Sequence, residues 1–554
     1  MSLKDYKHLR DSTNDLIAFL GAIENGSTGK HPAPTSLLAC FPTLSSIRAH
    51  PQHRLTLALT GSAKSEFITE LLSDLDKVPE SWNDQVTTRA IQTLKFLGRD
   101  MNDADPLFSE RGMMILLKLG GLLEGCKDRD TIITREALKC LSNCILLKDA
   151  TKTWVIQHGG VSACFHLLAL PELSMESQFL TCRILFFMTV NSDDVVEQLM
   201  ALNIAPVLTQ VLVPHVNKLL HGETIDTTSP INQISVISEA LKLLFNLLLV
   251  ENRRDEAKDD ETGQYFSSCL PPIFDLLFVW KLHKPMPLVP PVNYAIQALM
   301  QYPYSAMRLV WKTYAQDTFK PKPGQGTREL AATRLMDFVE YSLKYLIPTG
   351  DPDNLGSMAK EHTADAALAP LLLVIHKLAA NDSLFLEKFK LRMLPSESDR
   401  EKPVNVGDSM PATLIRLMTS TMLSQTREAV SECLFSLCND DASEFSQQVG
   451  YGNAIGFLVN RGIAVEPPQG EADASNKIIN PITGQYVDAE TQEGPSLADM
   501  TDEEKEREAE RLFVLFERLK KTGVIDVENP VAKAMREGRL QEINSDDEAD
   551  SDNE

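Results

Sequence analysis

The chain has 554 residues, 43% of them hydrophobic and 6% aromatic, with a formal net charge of −23. A phosphate backbone demands a dense field of Lys and Arg, so this charge argues against a general nucleic-acid binder. Residues 544–554 hold six carboxylates and no base. The remaining negative charge is spread thinly enough to permit a local basic surface.

Residues 1–12 are charged and lack an apolar core, unlike a secretory signal. No apolar run reaches the ~18 residues that span a bilayer. The longest, 366–375, includes Pro370 and is followed by His376 and Lys377. The nine cysteines are odd in number and form no CxxC pair. Cys140 and Cys144, four apart on an apolar stripe, read as buried small residues rather than metal ligands. A cytoplasmic protein with no transmembrane segment, no metal and no cofactor is expected.

One phrase recurs along the chain. EALKCLSN at 136–143 returns as EALKLLFN at 239–246 and more loosely as EAVSECLFSLCN at 428–439. Further copies start at Ala90, Thr181 and Ala295. The steps from Ala90 to Ala137 and on to Thr181 are 47 and 44 residues; those to Ala240 and Ala295 are 59 and 55. A period in the mid-forties is that of an armadillo or HEAT unit. The predicted fold is therefore all-α, an armadillo/HEAT-type superhelix over 1–464. The longer steps predict loops at 221–230 and 251–264, with others at 318–327 and 348–356, all rich in turn or charged residues. Gly159-Gly160 predicts a turn into a new helix.

Within the phrase, Ala137, Leu138, Leu141, Cys144 and Ile145 form an apolar stripe at helical spacing. Lys139 and Asn143, four apart, fall on another face, as do Lys242 and Asn246. Lys95 and Arg99 extend the same basic edge. An importin-type groove places Trp four residues before each Asn, to sandwich lysine stems of a basic peptide. Lys in that place suits a partner with carboxylates, such as an acidic helix or a free C-terminus. The plain alternative for any one residue is a solvated helix-surface charge.

The repeat region is expected to close near Gly462, after GYGNAIGFLVN. Residues 465–500 are rich in Pro, Gly, Glu and Asn and read as an extended strap. Residues 501–522 read as an amphipathic helix. Thr501 and Glu504 form its capping box, and Ala509, Leu512, Phe513, Phe516 and Leu519 its apolar face. Alone such a helix is barely stable, so it needs the repeats or a partner to pack on. Residues 523–554 read as an acidic, disordered tail.

Covalent chemistry finds no support. The stretch at 26–30 has Glu24 where a phosphate loop needs its first glycine, and His31 in place of Ser/Thr. The stretch at 61–65 has Ala58 and Ala63 in both glycine places. There is no HExxH and no GxSxG. His158 and His166 read as structural.

These residues together resemble the synembryn family, also called resistance to inhibitors of cholinesterase 8. TLKFLGRD at 93–100 and EALKCLSN at 136–143 are similar to its groove helices. GYGNAIGFLVNRG at 450–462 is similar to its closing segment, INPITG at 479–484 to its strap, and DEEKEREAERLFVLFERL at 502–519 to its C-terminal helix. The resemblance implies a non-receptor guanine nucleotide exchange factor and folding chaperone for G protein α subunits, a monomer without covalent chemistry, recruited to the cell cortex by its partner. It implies that the concave face grips the C-terminal helix of the α subunit through Lys95, Arg99, Asn143, Phe245, Asn246 and Asn293. The strap and helix, with Phe513 and Phe516, would engage the Ras-like domain. The partner would be GDP-bound, nucleotide-free or nascent. Lys95 departs from the Arg usual in the family, which keeps the charge and loses the bidentate fork. Vertebrate-type members carry acidic phosphorylation sites just after the repeats, where this chain has none. Ser545 in SDDE and Ser551 in SDNE are the candidates for an acidophilic protein kinase, a merely solubilising tail being the alternative. The rival reading of the whole is an armadillo scaffold that binds an acidic helix or tail without promoting exchange.

Overall fold

The computed structural model describes residues 7, 17, 20, 61–123, 129–226, 228–254, 259–313, 326–463 and 477–489. Phe513, Phe516, Ser545, Ser551 and the expected helix 501–522 lie outside them. Among the described residues the regular secondary structure is helical, apart from one isolated antiparallel bridge between Ile479 and Tyr486. They fall into two compact units.

Unit 1 takes Met1–His283 with Leu288–Thr327. Its helices are α1 Ser62–Asp76, α2 Asp84–Leu97, α3 Glu110–Leu119, α4 Ile132–Leu147, α5 Ala150–Gln157, α6 Gly160–Leu168 and α7 Met175–Thr189. They continue as α8 Asp193–Ala201, α9 Ile204–Leu220, α10 Gln233–Arg254, α11 Asp259–Tyr265, α12 Leu270–Phe274, α13 Val292–Gln301 and α14 Tyr304–Thr313. Side-chain caps start several of them by satisfying free backbone donors. Asn83 accepts from the Val86 N–H, and Thr131 with Thr134 forms a reciprocal box at α4.

Five of the six copies of the phrase are α2, α4, α7, α10 and α13, and each packs against the next. This is a stack of helical repeats. Ala137, Leu138, Leu141, Cys144 and Ile145 are all buried, as their spacing predicts, and so are Ala240, Leu241 and Leu244 one repeat later. The shorter helices α3, α6 and α9 cover the other side of α4, α7 and α10 respectively. The described residues within 251–264 are helical rather than the loop their charge suggested: α10 runs on to Arg254 and α11 occupies Asp259–Tyr265. Charged residues are good helix formers, and density of charge alone does not mark a turn.

Unit 2 takes Lys284–Pro287 and Arg328–Glu554. It holds α15 Thr327–Leu346, α16 Met358–Asn381, α17 Ser383–Met393, α18 Met410–Met418, α19 Ser424–Leu437, α20 Ala442–Val449 and α21 Tyr451–Asn460. The loose phrase copy is α19, which packs along α16. Residues 477–489 are not extended. The Asn480 side chain accepts from Ile482 N and Thr483 N, Gly484 N–H bonds to the Asn480 carbonyl, and Val487 N–H returns to Ile478. A short polar side chain that bonds its own backbone two residues on closes a turn here. The turn docks on α21, with Tyr451 N–H on the Pro481 carbonyl and Gly452 N–H on that of Ile482.

By length and composition two helices, Gln233–Arg253 and Met358–Asn381, could cross a membrane. This corrects the expectation drawn from uninterrupted apolar runs. Length and mean apolarity tolerate isolated polar residues such as Glu239 or His376, which a count of consecutive apolar residues does not. Both helices are packed against neighbours, α10 between α7 and α13 and α16 against α19.

Candidate partner-binding site

On the phrase helices the positions left outside the apolar stripe form columns that run from repeat to repeat. Lys139, Arg183 and Lys242 occupy one register, and Asn143 and Asn246 another. Lys139, Asn143, Arg183 and Asn246 are half-buried, whereas Lys242 is only 8% exposed.

The lysines do not present bare positive charge. Lys95 on α2 donates to Glu136 Oε2 at 2.6 Å, and Lys139 to Glu136 Oε1 at 2.7 Å. Lys139 also reaches Glu176 Oε1 on α7 at 2.6 Å, while Arg135 bridges Glu176 at 3.0 Å and Asp130 at 2.9 Å. The motif repeats one level on: Arg183 and Lys242 meet on Glu239 Oε1, at 2.8 and 2.9 Å. Thus the glutamate of EALK takes its own lysine three residues on, plus a cation from the preceding phrase helix. A basic edge open to an acidic ligand, as expected for Lys95, Lys139 and Lys242, is corrected to a chain of internal ion pairs. The physical reason is the i,i+3 spacing within the phrase, which puts Glu and Lys on one helix face.

The electrostatics of the two levels differ. Burial acts to raise the Glu136 carboxyl, but hydrogen bonds from Lys139 and Lys95 and their charges outweigh it, so its pKa lies below the ordinary glutamate value. Burial likewise acts to lower Lys139, and the hydrogen bonds and charges of Glu136 and Glu176 win, raising it. At Lys242 burial prevails over the charge and hydrogen bond of Glu239, with Arg183 adding repulsion, and the pKa is lowered. The Lys242 ammonium lies over the Tyr294 ring of α13, 4.8 Å from its centre. Arg183 lies over Phe179 at 4.3 Å.

Arg99 follows the end of α2 and is exposed; its guanidinium lies 5.6 Å from the Phe96 ring centre, and it pairs with no carboxylate among the described residues. Asn246 donates to Thr189 Oγ1 on α7 at 3.1 Å. Phe245 is half-buried beside it. Asn293 starts the next rung on α13, and its Oδ1 is buried without a hydrogen-bond partner among the described residues. Lys95, Arg99, Lys139, Asn143, Lys242, Phe245, Asn246 and Asn293 therefore all belong to unit 1, on or beside four phrase helices.

Glu136, Glu239, Glu176, Arg183 and Tyr294 escaped the sequence reading. The signal for the first two was present in the phrase itself, which pairs E with K three residues later. Arg183 and Tyr294 could be found only by carrying the register into less similar copies.

Among the described residues no group of three or more His, Cys, Asp and Glu could hold a metal. Cys140 and Cys144 are buried, like the other described cysteines. Lys64, in the stretch that mimics a phosphate loop, donates to the carbonyls of Asp100 at 2.8 Å and Asn102 at 2.6 Å. It ties α1 to the loop after α2.

The family model for the guanine nucleotide exchange factor synembryn matches residues 90–539. The protein named chaperone Ric-8A of Bos taurus is 25% identical over 463 residues, covering 78% of this chain and 81% of that protein. Its namesake in Pongo abelii is 25% identical over 500 residues, covering 83% and 88%. A synembryn-like chaperone of Schizosaccharomyces pombe is 23% identical over 500 residues, covering 84% and 86%. The match takes in all six copies of the phrase from Ala90 on, the closing helix and the strap turn, so the chain belongs to the guanine nucleotide exchange factor synembryn family.

Proposed function

We propose that this chain promotes guanine nucleotide exchange on heterotrimeric G protein α subunits and assists their folding, by gripping the C-terminal helix of the α subunit along the phrase helices of unit 1. The observation that carries this reading is the family match over residues 90–539, joined to a row of polar side chains on consecutive repeats, half-buried at Lys139 and Arg183 and buried at Lys242. The exposed Arg99 guanidinium and the Asn143 amide supply donors for the free carbonyls and terminal carboxylate at a helix C-terminus. Lys139 has three N–H groups and spends two on Glu136 and Glu176, which leaves one.

The strap and the residues after it, Phe513 and Phe516 included, engage the Ras-like domain. Displacing the terminal helix loosens the nucleotide site, and GDP leaves. For this to work, the chain must bind the open, empty α subunit more tightly than the closed, GDP-loaded one; equal affinity would shift nothing. It works as a monomer, without covalent chemistry, in the cytoplasm and at the membrane face where its partner resides. An acidophilic kinase acts on Ser545 and Ser551.

The test mixes the full chain with GDP-loaded α subunit and follows GDP release and complex formation without nucleotide. Faster release with a stable nucleotide-free complex supports the reading. Binding with unchanged release would make the chain a scaffold instead.

A further inference from the structure

Among the described residues α21 packs against α18 and α20. It buries Ala454 and Leu458 on that side and sets the Phe457 ring against those of Phe435 and Phe445, with centres 5.4 and 5.7 Å apart. At about 100° per residue the opposite face carries Gly452, Gly456 and Val459, with Ile455 on its flank. Val459 is 46% exposed. Ile482 of the strap turn, 59% exposed, continues this face: a Cβ added at Gly452 would lie 3.6 Å from its Cγ2. A helix at the open end of a repeat stack meets water through a polar outer face, and this one is apolar.

The strap turn is seated at the start of α21 and fixes where the following chain departs. The buried Arg400 guanidinium donates to the Gly484 carbonyl at 2.8 Å and to Gln448 Oε1 at 2.6 Å. Its own carbonyl accepts from Tyr486 N–H at 2.8 Å, and Ala489 N–H bonds to the Tyr486 carbonyl at 3.1 Å. Residues 490–500 then lead to the segment 501–522. That length of chain reaches at most about 36 Å, and α21 is only about 15 Å long. The apolar residues Ala509, Leu512, Phe513, Phe516 and Leu519, wound as a helix, also extend about 15 Å. Charge sets the direction. Residues 502–510 hold six carboxylates against two bases, and 517–521 three bases against one carboxylate. Arg461 stands at the far end of α21, paired with Glu432 at 2.9 Å, and the exposed Asp488 belongs to the strap turn at the near end. Only an antiparallel arrangement brings the acidic end to Arg461 and the basic end to Asp488, and it also opposes the two helix dipoles favourably.

We infer that the outer face of α21 is a docking surface for residues 501–522 of the same chain, which lie on it as an antiparallel helix when no partner is bound. Gly452 and Gly456 leave room for the Phe513 and Phe516 rings, while Ile455, Val459 and Ile482 flank them. A helix of this length is barely stable alone, and the surface supplies what it lacks. The tether holds it there at an effective concentration of order millimolar, so a weak contact suffices. A partner that takes Phe513 and Phe516 must first draw them off this face. The inference stands apart from the exchange reading, because the contact involves this chain only.

The experiment follows hydrogen exchange in the full-length chain without an α subunit. Amides of 512–519 should exchange slower by about tenfold or more than those of a peptide of residues 498–524. Val459→Glu with Ile482→Glu, both at exposed positions, should return them to the peptide rate and leave the α19 amides protected. A disulfide trap reads the direction. Under mild oxidation Val459→Cys should close with Leu512→Cys within one chain, and not with Leu519→Cys. Exchange at the peptide rate in the unaltered chain overturns the proposal and leaves the face to a partner. Protection that survives the double Glu variant overturns it too, since the segment then rests elsewhere. So does a trap that closes between two chains, which would make a second copy the occupant, or one that closes at Leu519→Cys instead.

Discussion

The Lys95 ammonium on α2 and the Glu136 carboxylate on α4 meet at 2.6 Å, although 41 residues of chain separate them. Glu136 is 6% exposed and receives Lys139 from its own helix as well. The acid in each EALK phrase thereby locks two consecutive repeats together while fixing where the neighbouring cations stand. Arg183 and Lys242 do the same on Glu239.

A double-mutant cycle measures this lock. Glu136→Gln should destabilise unit 1 by about 2 kcal/mol, since it strips two charge-assisted bonds from a buried site. Lys95→Met should cost less, because its ammonium is partly solvated. The two together should cost about 1 kcal/mol less than their sum in urea unfolding, because the second change removes a bond the first has already broken. Strict additivity would mean that the 2.6 Å contact contributes nothing.

The opposite shifts at Lys139 and Lys242 predict opposite pH dependences. Lys139 is raised in the folded chain, so its contribution is complete below the ordinary lysine value of 10.5 and is lost as pH rises through the folded value. Lys242 is lowered, so folding sheds its proton more readily than the unfolded chain does, and its contribution improves as pH approaches 10.5. The stability difference between wild type and Lys139→Met should therefore shrink above pH 10.5. That between wild type and Lys242→Met should move in favour of wild type on the other side of that value, as pH rises towards 10.5. At the acid end the depressed Glu136 makes its contribution in full above 4.5, and loses it as pH falls through the lower folded value. Chemical denaturation across pH 3 to 11 (about the usable range) reads all three.

The apolar stripe of EALKCLSN could be read in one dimension because burial on a helix is a local property with a period of about 3.6 residues. Its copies implied the stack, since like helices with like stripes bury them on one another. The ion pairs were only half legible. Glu136 with Lys139 is a spacing within the phrase, whereas Lys95 with Glu136 depends on how one repeat settles on the next. Residues 477–489 of the expected strap form a turn that was illegible for a similar reason. Pro481 and Gly484 suggest an extended segment, and the Asn480 side chain that closes the turn does so against a surface supplied by Arg400 and α21.

Arg99 separates binding from stability. It is exposed and its guanidinium leans on the Phe96 ring at the end of α2, so Arg99→Glu should change stability by no more than about 0.5 kcal/mol in thermal unfolding. Affinity for a peptide copying the C-terminus of the α subunit should nevertheless fall by about tenfold or more at low salt, as a cation facing a carboxylate becomes an anion. Fluorescence anisotropy measures it. Unchanged affinity of Arg99→Glu at low salt would remove this position from the site.

Gly450 offers a test of how the strap is seated. Its φ of +82° with ψ of +131° lies where side chains are strained, and an added Cβ would come 2.8 Å from the Ile482 carbonyl oxygen. That oxygen accepts the Gly452 N–H, one of the bonds that seat the strap on α21. Gly450→Ala should therefore cost about 1–3 kcal/mol locally and lift the strap off the helix start. Gly462 makes the control. Its φ is +72° but nothing lies within 4 Å of its absent Cβ, so Gly462→Ala adds backbone strain without touching the strap. Limited trypsin digestion after Lys477 reads the difference, because local opening governs cleavage there. Gly450→Ala should be cut about tenfold faster than wild type, an opening made easier by about 1.4 kcal/mol. Gly462→Ala should be cut at the wild-type rate. Equal acceleration in both would mean that general loosening of α21, rather than contact with Ile482, controls the strap.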